Sequence, residues 1–179
     1  MTAARIRPAR PGDLDRLREI ERAAGRRYRD FGLDRVADDE PPPIGTLLGY
    51  AEAGRAWVAV GPDDDAPVGY LLVDPVDGAA HIEQVSVLPE HQGGGIGRLL
   101  MDRAAAWAVA RGLDGLTLTT FDHIPWNRPL YEHLGFRVLD RDEIGPGLQA
   151  VLEAEADHGL DPALRVAMRR EVGERPGND

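Results

Sequence analysis

The sequence predicts an α/β fold with a mixed, mostly antiparallel central sheet and helices on both faces of that sheet. Short apolar runs separated by polar turns predict strands that pair antiparallel with their neighbours. A long helical pattern over residues 96–111 lies between two strands, and such a connection makes those strands parallel. Together these observations predict the element order β-α-α-β-β-β-α-β-α-β-α-β.

The first half of the chain supplies two predicted helices and four predicted strands. Leucine, isoleucine and alanine recur at helical spacing after Asp13, which is the predicted N-cap of the first helix. The turn GPDDDAP separates two apolar strands and predicts a hairpin, because aspartate and proline favour turns. A second turn, DPVDG, leads to the next strand. The predicted elements are a strand at 5–7, a helix within 11–30, an irregular acidic and proline-rich segment at 30–43, a helix at 44–53, and strands at 57–60, 68–73 and 81–87.

The second half of the chain alternates helices and strands. The helical stripe of residues 96–111 is the clearest in the sequence, and Gly112 ends it. The strand LTLTTF, rich in β-branched residues, follows. The remaining predicted elements are a short helix ending at Gly135, a strand at 136–139, a helix at 148–156 and a strand at 163–170. We expect one domain over residues 1–172 and a disordered tail at 173–179.

Composition and charge exclude several classes of function. The chain has no cysteine, which rules out disulfides, thiolate metal sites and a cysteine nucleophile. The histidines show no metal-ligand spacing, so we expect no metal. The net charge of −10 argues against binding to nucleic acid or to an anionic membrane surface. The start of the chain lacks a signal-peptide core and no run reaches the length of a membrane span, so we expect a cytoplasmic protein.

The stretch VSVLPEHQGGGIGRLL, residues 85–100, carries the strongest functional signal. Its glycines stand where a strand leads into a helix. The first N–H groups of a helix lack internal partners and lie at the positive end of its dipole, and bare backbone lets a phosphate approach them. The spacing excludes two phosphate-binding motifs, since no Lys-Ser/Thr pair follows as in a P-loop and no register gives G-x-G-x-x-G. A flexible turn without a ligand is the alternative.

The residues around this turn resemble those of a known family. The run Gln92–Gly97 matches Q/R-x-x-G-x-G/A, follows a strand that ends in V-x-P, and opens an amphipathic helix. YEHLGF, residues 131–136, is similar to a Y-E-x-x-G-F segment, and residues 5–21 are similar to an opening strand and helix. Together they resemble the GNAT (Gcn5-related) N-acetyltransferase superfamily, most strongly over residues 85–136. The resemblance implies acetyl-CoA as cosubstrate and a sheet whose fourth and fifth strands splay apart to form the cofactor cleft.

The cofactor-binding residues follow from this resemblance. It implies that the amides of residues 93–98 hold the pyrophosphate, and that the backbone of residues 85–87 pairs with the pantetheine arm and polarises the thioester carbonyl. Arg98 is either a phosphate contact or a solvated helix arginine. Asn127 departs from the family pattern, because it stands four residues before Tyr131 rather than seven; it is either a CoA contact or a helix cap. The implied cofactor-binding residues are Val85, Ser86, Val87, Gln92, Gly93, Gly94, Gly95, Ile96, Gly97, Arg98 and Asn127.

Acyl transfer to an amine needs a base and an acid. An acid at Glu83 matches the polyamine-acetylating branch of the family, and strand alternation points Glu83 and Val87 the same way. We expect Glu83 to act as general base, directly or through water, with a plain surface acid as the alternative. His81, two residues earlier on the same strand face, is a second candidate for the base. Tyr131 matches the family tyrosine that returns a proton to the CoA thiolate; a packed tyrosine is the alternative.

The acceptor is less well specified than the donor. Thr119 stands where members that acetylate protein N-termini often carry a glutamate, which argues against that branch. We expect a small-molecule primary amine that attacks directly in a ternary complex, because no cysteine can carry the acetyl group. The alternatives are a non-catalytic acyl-CoA-binding module and a protein lysine or N-terminal acetyltransferase. The oligomeric state is open, although homodimers are common in the family. The expected substrate contacts are His81, Gln84, Tyr28, Phe31 and Trp126.

Overall fold

The structure is a computed structural model that describes residues 4–173. Apart from Gly173, the tail predicted to be disordered therefore lies outside the described residues. The described part of the chain forms seven strands and six α-helices. Their bounds are β1 Arg5–Pro8, α1 Leu14–Gly25, α2 Asp34–Ala37, α3 Ile44–Glu52, β2 Ala56–Val60, β3 Pro67–Val76, β4 Ala79–Val87, α4 Ile96–Ala110, β5 Gly115–Phe121, α5 Arg128–His133, β6 Arg137–Val138, α6 Pro146–Asp157 and β7 Arg165–Glu171.

The strands form a mixed sheet in the order β1-β2-β3-β4-β5-β7-β6. The pairs β1–β2, β2–β3, β5–β7 and β6–β7 are antiparallel, whereas β4 and β5 are parallel. The predicted α/β class with a mostly antiparallel sheet is thereby confirmed. The β4–β5 register joins Ala80 to Leu116 and His81 to Thr117, at the start of both strands.

The chain divides into two compact units, which share strands β3 and β4. The first unit is Met1–Val73 with Glu83–Arg103, and the second is Asp74–Ile82 with Ala104–Asp179. In the first unit, Leu17, Ile20 and Leu47 are completely buried. In the second unit, a buried cluster of Leu139, Leu148 and Ala167 packs with Val76, Ile144 and Val151. Both cores therefore follow from the apolar stripes of the helices and the alternation of the strands.

Asp13 is the N-cap residue of α1, as predicted, but its side chain makes no capping hydrogen bond to that helix. Its carboxylate instead accepts two hydrogen bonds from the Arg7 guanidinium, at 2.8 and 3.0 Å, and one from the Arg10 N–H at 2.8 Å. A bidentate arginine pair is stronger than a neutral cap, so the carboxylate ties β1 to the turn before α1.

The segment predicted to be irregular contains one helical turn. The Ala37 N–H donates to the Leu33 carbonyl at 3.0 Å and the Asp38 N–H donates to the Asp34 carbonyl at 2.8 Å, which closes α2. The prediction of an irregular 30–43 was therefore wrong over residues 34–37. A single turn is too short to show helical periodicity in a sequence, because a helix this short depends on tertiary contacts.

The hairpin between β3 and β4 is tighter than the predicted DPVDG turn. Both strands continue to a two-residue turn of Asp77 and Gly78, with φ of 51° and 77°. Two consecutive positive φ values define a primed hairpin turn, for which Asp-Gly is a favoured pair. The Asp77 carboxylate accepts hydrogen bonds from the N–H groups of Gly147 and Leu148, at 2.9 and 2.8 Å. The turn thereby caps the start of α6 with a charge that suits the helix dipole.

Candidate active site

The glycine-rich loop joins β4 to α4 in the first unit. Gly93 and Gly95 have φ of 80° and 84°, a left-handed conformation that glycine adopts without strain. A Cβ atom built at Gly93, Gly95 or Gly97 would meet no heavy atom within 4 Å. The next residue after Gly95, Ile96, is buried and anchors the start of α4. The loop therefore presents bare backbone to open space while its helical end is held in the core.

The start of α4 can hold an anion. The Leu99 N–H donates to the Gly95 carbonyl at 3.1 Å, as expected for the first turn of an α-helix. The N–H groups that precede it in a helix have no intrahelical acceptor, and they lie at the positive end of the dipole. Because no side chain of the glycines covers this end, the geometry fits the two phosphates of a diphosphate ligand.

Gln92 braces the loop from its N-terminal side. Its side-chain Nε2 donates to the Val87 carbonyl at 3.0 Å, and its Oε1 accepts from a guanidinium nitrogen of Arg27 at 2.8 Å. The amide thus connects the end of β4 with the turn that follows α1. The sequence predicts Gln92 as a cofactor contact, and the structure gives its side chain two protein partners; contact with a cofactor stays a prediction.

The second half of β4 carries the predicted base. Glu83 is exposed, Val85 and Val87 are half-buried, and Ser86 is buried. The Gln84 side-chain amide donates to the Ser86 hydroxyl at 2.8 Å. The backbone in this stretch is closely approached by β3, where a Cβ at Gly69 would lie 3.0 Å from the Ser86 carbonyl oxygen.

Two predicted acceptor contacts lie in the first unit, in the turn after α1. Tyr28 is half-buried, and Phe31 is 39% exposed, which is unusual for so large an apolar side chain. The first unit thus contains the predicted base, the glycine-rich loop and two aromatic side chains. Their roles toward an acceptor stay predictions.

The second unit contains the predicted acid. Tyr131 is half-buried on α5, and its ring meets the Phe136 ring edge to face, with 6.0 Å between centroids. Its N–H donates to the Asn127 carbonyl at 3.0 Å. Asn127 is buried and occupies the N-cap position of α5, as the capping alternative predicts, but its side chain makes no capping hydrogen bond. Trp126 is half-buried beside it.

His81, a predicted substrate contact, lies inside the second unit. It is 2% exposed, and its Nδ1 is 3.0 Å from the Thr117 hydroxyl oxygen. Burial lowers the pKa of His81, although the charges of Glu155 and Asp74 partly oppose this. The imidazole is therefore neutral at pH 7, with Thr117 as its hydrogen-bond partner.

A carboxylate that the sequence analysis missed lies at Thr119. The Thr119 hydroxyl donates to the Glu155 carboxylate of α6, and the Arg165 guanidinium donates to Glu155 at 2.7 Å and to the Thr119 hydroxyl at 3.0 Å. Glu155 lies seven residues after the buried Leu148, on the same stripe of α6. The helical stripe is visible in the sequence, but nothing in the sequence pairs Glu155 with Thr119. The Glu155 carboxylate of α6 therefore lies against Thr119 of β5, although β5 itself has no acid at that position.

Among residues 4–173, no group of three or more metal-ligating side chains comes together. No described helix combines the length and the apolar character that a membrane crossing needs.

Comparisons with known proteins agree with this fold. The acetyltransferase (GNAT) family model matches residues 14–136, more than half of the chain. The protein therefore belongs to the GNAT acetyltransferase family. Its fold is similar to that of the PaiA N-acetyltransferase from Thermoplasma acidophilum in complex with coenzyme A, with a TM-score of 0.71, 16% identity, and coverage of 95% of this chain and 99% of that chain.

Two relatives of this sequence have names that describe different acetyl acceptors. Mycothiol acetyltransferase of Propionibacterium freudenreichii subsp. shermanii is 28% identical over 144 residues, which is 74% of this chain and 43% of the relative. Peptidyl-lysine N-acetyltransferase YjaB of Salmonella typhimurium is 32% identical over 88 residues, 49% of this chain and 54% of the relative. The chain thus spans about half the length of these two relatives.

Proposed function

We propose that the protein is an acetyl-CoA-dependent N-acetyltransferase that acetylates a primary amine of a small molecule. The observation that carries this proposal is the glycine-rich loop, whose bare backbone at Gly93, Gly95 and Gly97 faces open space at the start of α4. A diphosphate is the group that such a helix start holds best, and acetyl-CoA contains one. The coenzyme A in the PaiA structure supports this choice of ligand.

The reaction forms one C–N bond and breaks one C–S bond. Acetyl-CoA supplies the acetyl group as a thioester when it is bound. The exposed carboxylate of Glu83 takes a proton from the acceptor ammonium, directly or through water, so that the free amine can attack. The phenol of Tyr131 would give its proton to the departing thiolate, and the second proton that the nitrogen loses as the amide forms would restore the phenol. Glu83 is favoured over His81 as the base, because Glu83 is exposed and His81 is buried.

A direct attack in a ternary complex fits the side chains that are present. The chain has no cysteine to carry an acetyl group between donor and acceptor. The backbone of residues 85–87 would hold the pantetheine arm, and the amides of residues 93–98 would hold the pyrophosphate. The acceptor would enter beside Glu83, near the aromatic side chains of Tyr28 and Phe31.

Acetylation of a protein or peptide amine is the second candidate. The observation that favours it is the Glu155 carboxylate bonded to Thr119, where the sequence itself lacks an acid. The similarity to peptidyl-lysine N-acetyltransferase YjaB supports the same alternative, whereas that to mycothiol acetyltransferase supports a small molecule. A third possibility, a non-catalytic acyl-CoA-binding module, predicts binding without turnover.

One set of measurements separates these possibilities. Coenzyme A should raise the melting temperature, and release of free CoA thiol should report turnover with a panel of small amines, a lysine peptide and a peptide with a free N-terminus. Glu83→Gln and Tyr131→Phe should each lower kcat by about 100-fold and leave CoA binding nearly unchanged. Glu90→Gln, which changes an exposed acid beside the same loop, is the matched control. No melting shift at saturating CoA would refute the proposal, and CoA binding without turnover on any amine would support the non-catalytic module.

A further inference from the structure

Arg27 and Gln92 link two parts of the first unit that are distant in sequence. The Arg27 guanidinium donates to Gln92 Oε1 at 2.8 Å, and Gln92 Nε2 donates to the Val87 carbonyl at 3.0 Å. Both ends of the amide have a partner of the correct polarity. A flipped amide would set its NH₂ against the guanidinium and its oxygen against a carbonyl, so the link has one favourable arrangement.

The residues around Arg27 line a cavity. The cavity is an open pocket of about 220 Å³, and its walls come from α1, the turn after it, and residues 37–40 at and after the end of α2. A volume of this size holds several heavy atoms of a small polar molecule. The lining residues are Arg22, Arg26, Arg29, Ala37, Asp38, Asp39 and Glu40. Arg27 itself points its guanidinium away to Gln92, so it joins the wall of this cavity to the glycine-rich loop.

The wall formed by residues 26–37 has weak anchors of its own. Neither the turn Arg26–Phe31 nor α2 contains a buried residue. The ion pairs Arg22–Glu40 and Arg29–Asp38 are between exposed side chains, and such pairs contribute little to stability. Segments with few buried contacts open at low free-energy cost. The Arg27–Gln92 hydrogen bond is one of the restraints that hold this wall to the glycine-rich loop.

We propose that Arg27 is a positioning residue that couples the cavity wall of residues 26–37 to the glycine-rich loop. It acts through Gln92: with Arg27 in place, Gln92 holds the end of β4 in the position that receives the cofactor. Because coupling between sites is reciprocal, cofactor binding also holds the wall against which an acceptor binds. This inference rests on the proposed function for the identity of the cofactor, and on the hydrogen bonds for the link itself.

Coenzyme A titrations on four variants test the coupling. Arg27→Ala should weaken CoA binding about tenfold, the size of the loss expected for a hydrogen bond to a charged group. Gln92→Ala should weaken it to a similar degree, and the double variant should be no worse than either single one. Arg27→Lys keeps a donor and should restore part of the affinity. Arg35→Ala, an exposed arginine on α2, is the matched control and should bind CoA like the unmodified protein.

Hydrogen exchange gives a second readout that does not depend on turnover. In the unmodified protein, CoA should slow amide exchange in residues 26–37, and this protection should be lost in Arg27→Ala. Without CoA, Arg27→Ala should already speed exchange in residues 92–97. A melting temperature of Arg27→Ala close to that of the unmodified protein shows that the variant is folded. If Arg27→Ala does not fold, Arg27→Lys takes its place in the exchange measurements.

The two proposals fail in different ways. Unchanged CoA affinity in Arg27→Ala, strictly additive losses in the double variant, or protection of residues 26–37 that persists without Arg27 would each overturn the coupling. A protein that does not bind CoA at all would overturn the proposed function. In that case the exchange of residues 92–97 in the unliganded variants still decides whether Arg27 holds the loop.

Discussion

The Tyr70 phenol donates a hydrogen bond to the Glu21 carboxylate, which joins β3 to α1 in the first unit. Tyr70 is fully buried. Burial and the neighbouring carboxylate raise the pKa of Tyr70 well above its ordinary value, so it stays a donor throughout the usual pH range. Burial, with the charge of Asp39, also raises the pKa of Glu21, although the Tyr70 hydrogen bond opposes this. The carboxylate is thus costly to ionise in this environment, and the hydrogen bond from Tyr70 offsets part of that cost.

Removal of the Tyr70 hydroxyl and removal of the Glu21 charge should affect stability differently. Tyr70→Phe leaves the buried carboxylate without its donor, and we expect a loss of about 1–3 kcal/mol in the free energy of unfolding at pH 7. Glu21→Gln keeps an acceptor for the phenol and removes the buried charge, so it should be neutral or stabilising at the same pH. Denaturant unfolding measures both. A Tyr70→Phe variant as stable as the unmodified protein would show that the pair does not matter for stability.

The pH dependence of the Glu21 variant has a definite sign. Because the folded-state pKa of Glu21 is raised, the folded protein binds more protons than the unfolded one in the window above the ordinary value of 4.5. This group therefore makes stability fall as pH rises through that window. Glu21→Gln should lack this fall when the two unfolding curves are compared across the window.

His81 should make the protein less stable in mild acid. Its folded-state pKa is lowered from 6.5, so below pH 6.5 the unfolded chain takes up a proton before the folded one does. Stability from this group is present above pH 6.5 and is lost as pH falls toward the lowered pKa. His81→Gln should show a flatter dependence of unfolding free energy on pH in this window, whereas His91→Gln, at an exposed position, should keep the original slope. Identical slopes in all three proteins would contradict the buried neutral imidazole.

Gly95 and Gly54 provide a matched pair for testing the glycine-rich loop. Both have positive φ, of 84° and 71°, and a Cβ at either would meet no heavy atom within 4 Å. Gly95→Ala and Gly54→Ala should therefore each cost about 1–2 kcal/mol of stability through backbone strain. Only Gly95→Ala should weaken CoA binding in a calorimetric titration, because its methyl group occupies the space over the loop. Equal CoA affinity in the two variants would contradict binding of the pyrophosphate at this loop.

The cap of α6 by Asp77 should be measurable as stability. Asp77→Ala loses two hydrogen bonds to the N–H groups of Gly147 and Leu148 and places alanine at φ of 51°, so we expect a loss of about 2 kcal/mol or more. Asp77→Asn keeps an acceptor and tolerates this φ, and it should lose about 1 kcal/mol or less. Asp63→Ala, in an exposed turn, is the control in denaturant unfolding and should change little. Equal losses in the two Asp77 variants would mean that strain and capping do not both contribute.

Local signals in the sequence predicted most of the fold. The apolar stripe of α4, the alternation of β4 and the glycines between them lie within about thirty residues of each other, and short-range periodicity is enough to identify such elements. The turn of α2 was missed, and the hairpin turn at Asp77 and Gly78 is shorter than the predicted DPVDG turn. In both cases the deciding interactions come from neighbours in space, because one helical turn or a few extra strand residues leave no period to detect.

The sequence by itself determined the class of fold and the family, because hydrophobic period and the spacing of Gln92–Gly97 depend on nearby residues. The tertiary structure decided which groups work together. Arg27 meets Gln92 across 65 residues, Glu155 meets Thr119 across 36, and Asp77 meets Gly147 across 70. Such pairs depend on strand register and on the packing of helices against the sheet, and no local pattern of residues encodes either of them. The donor side of the reaction could therefore be predicted from the chain, whereas the Arg27 link and the carboxylate at Thr119 required the fold.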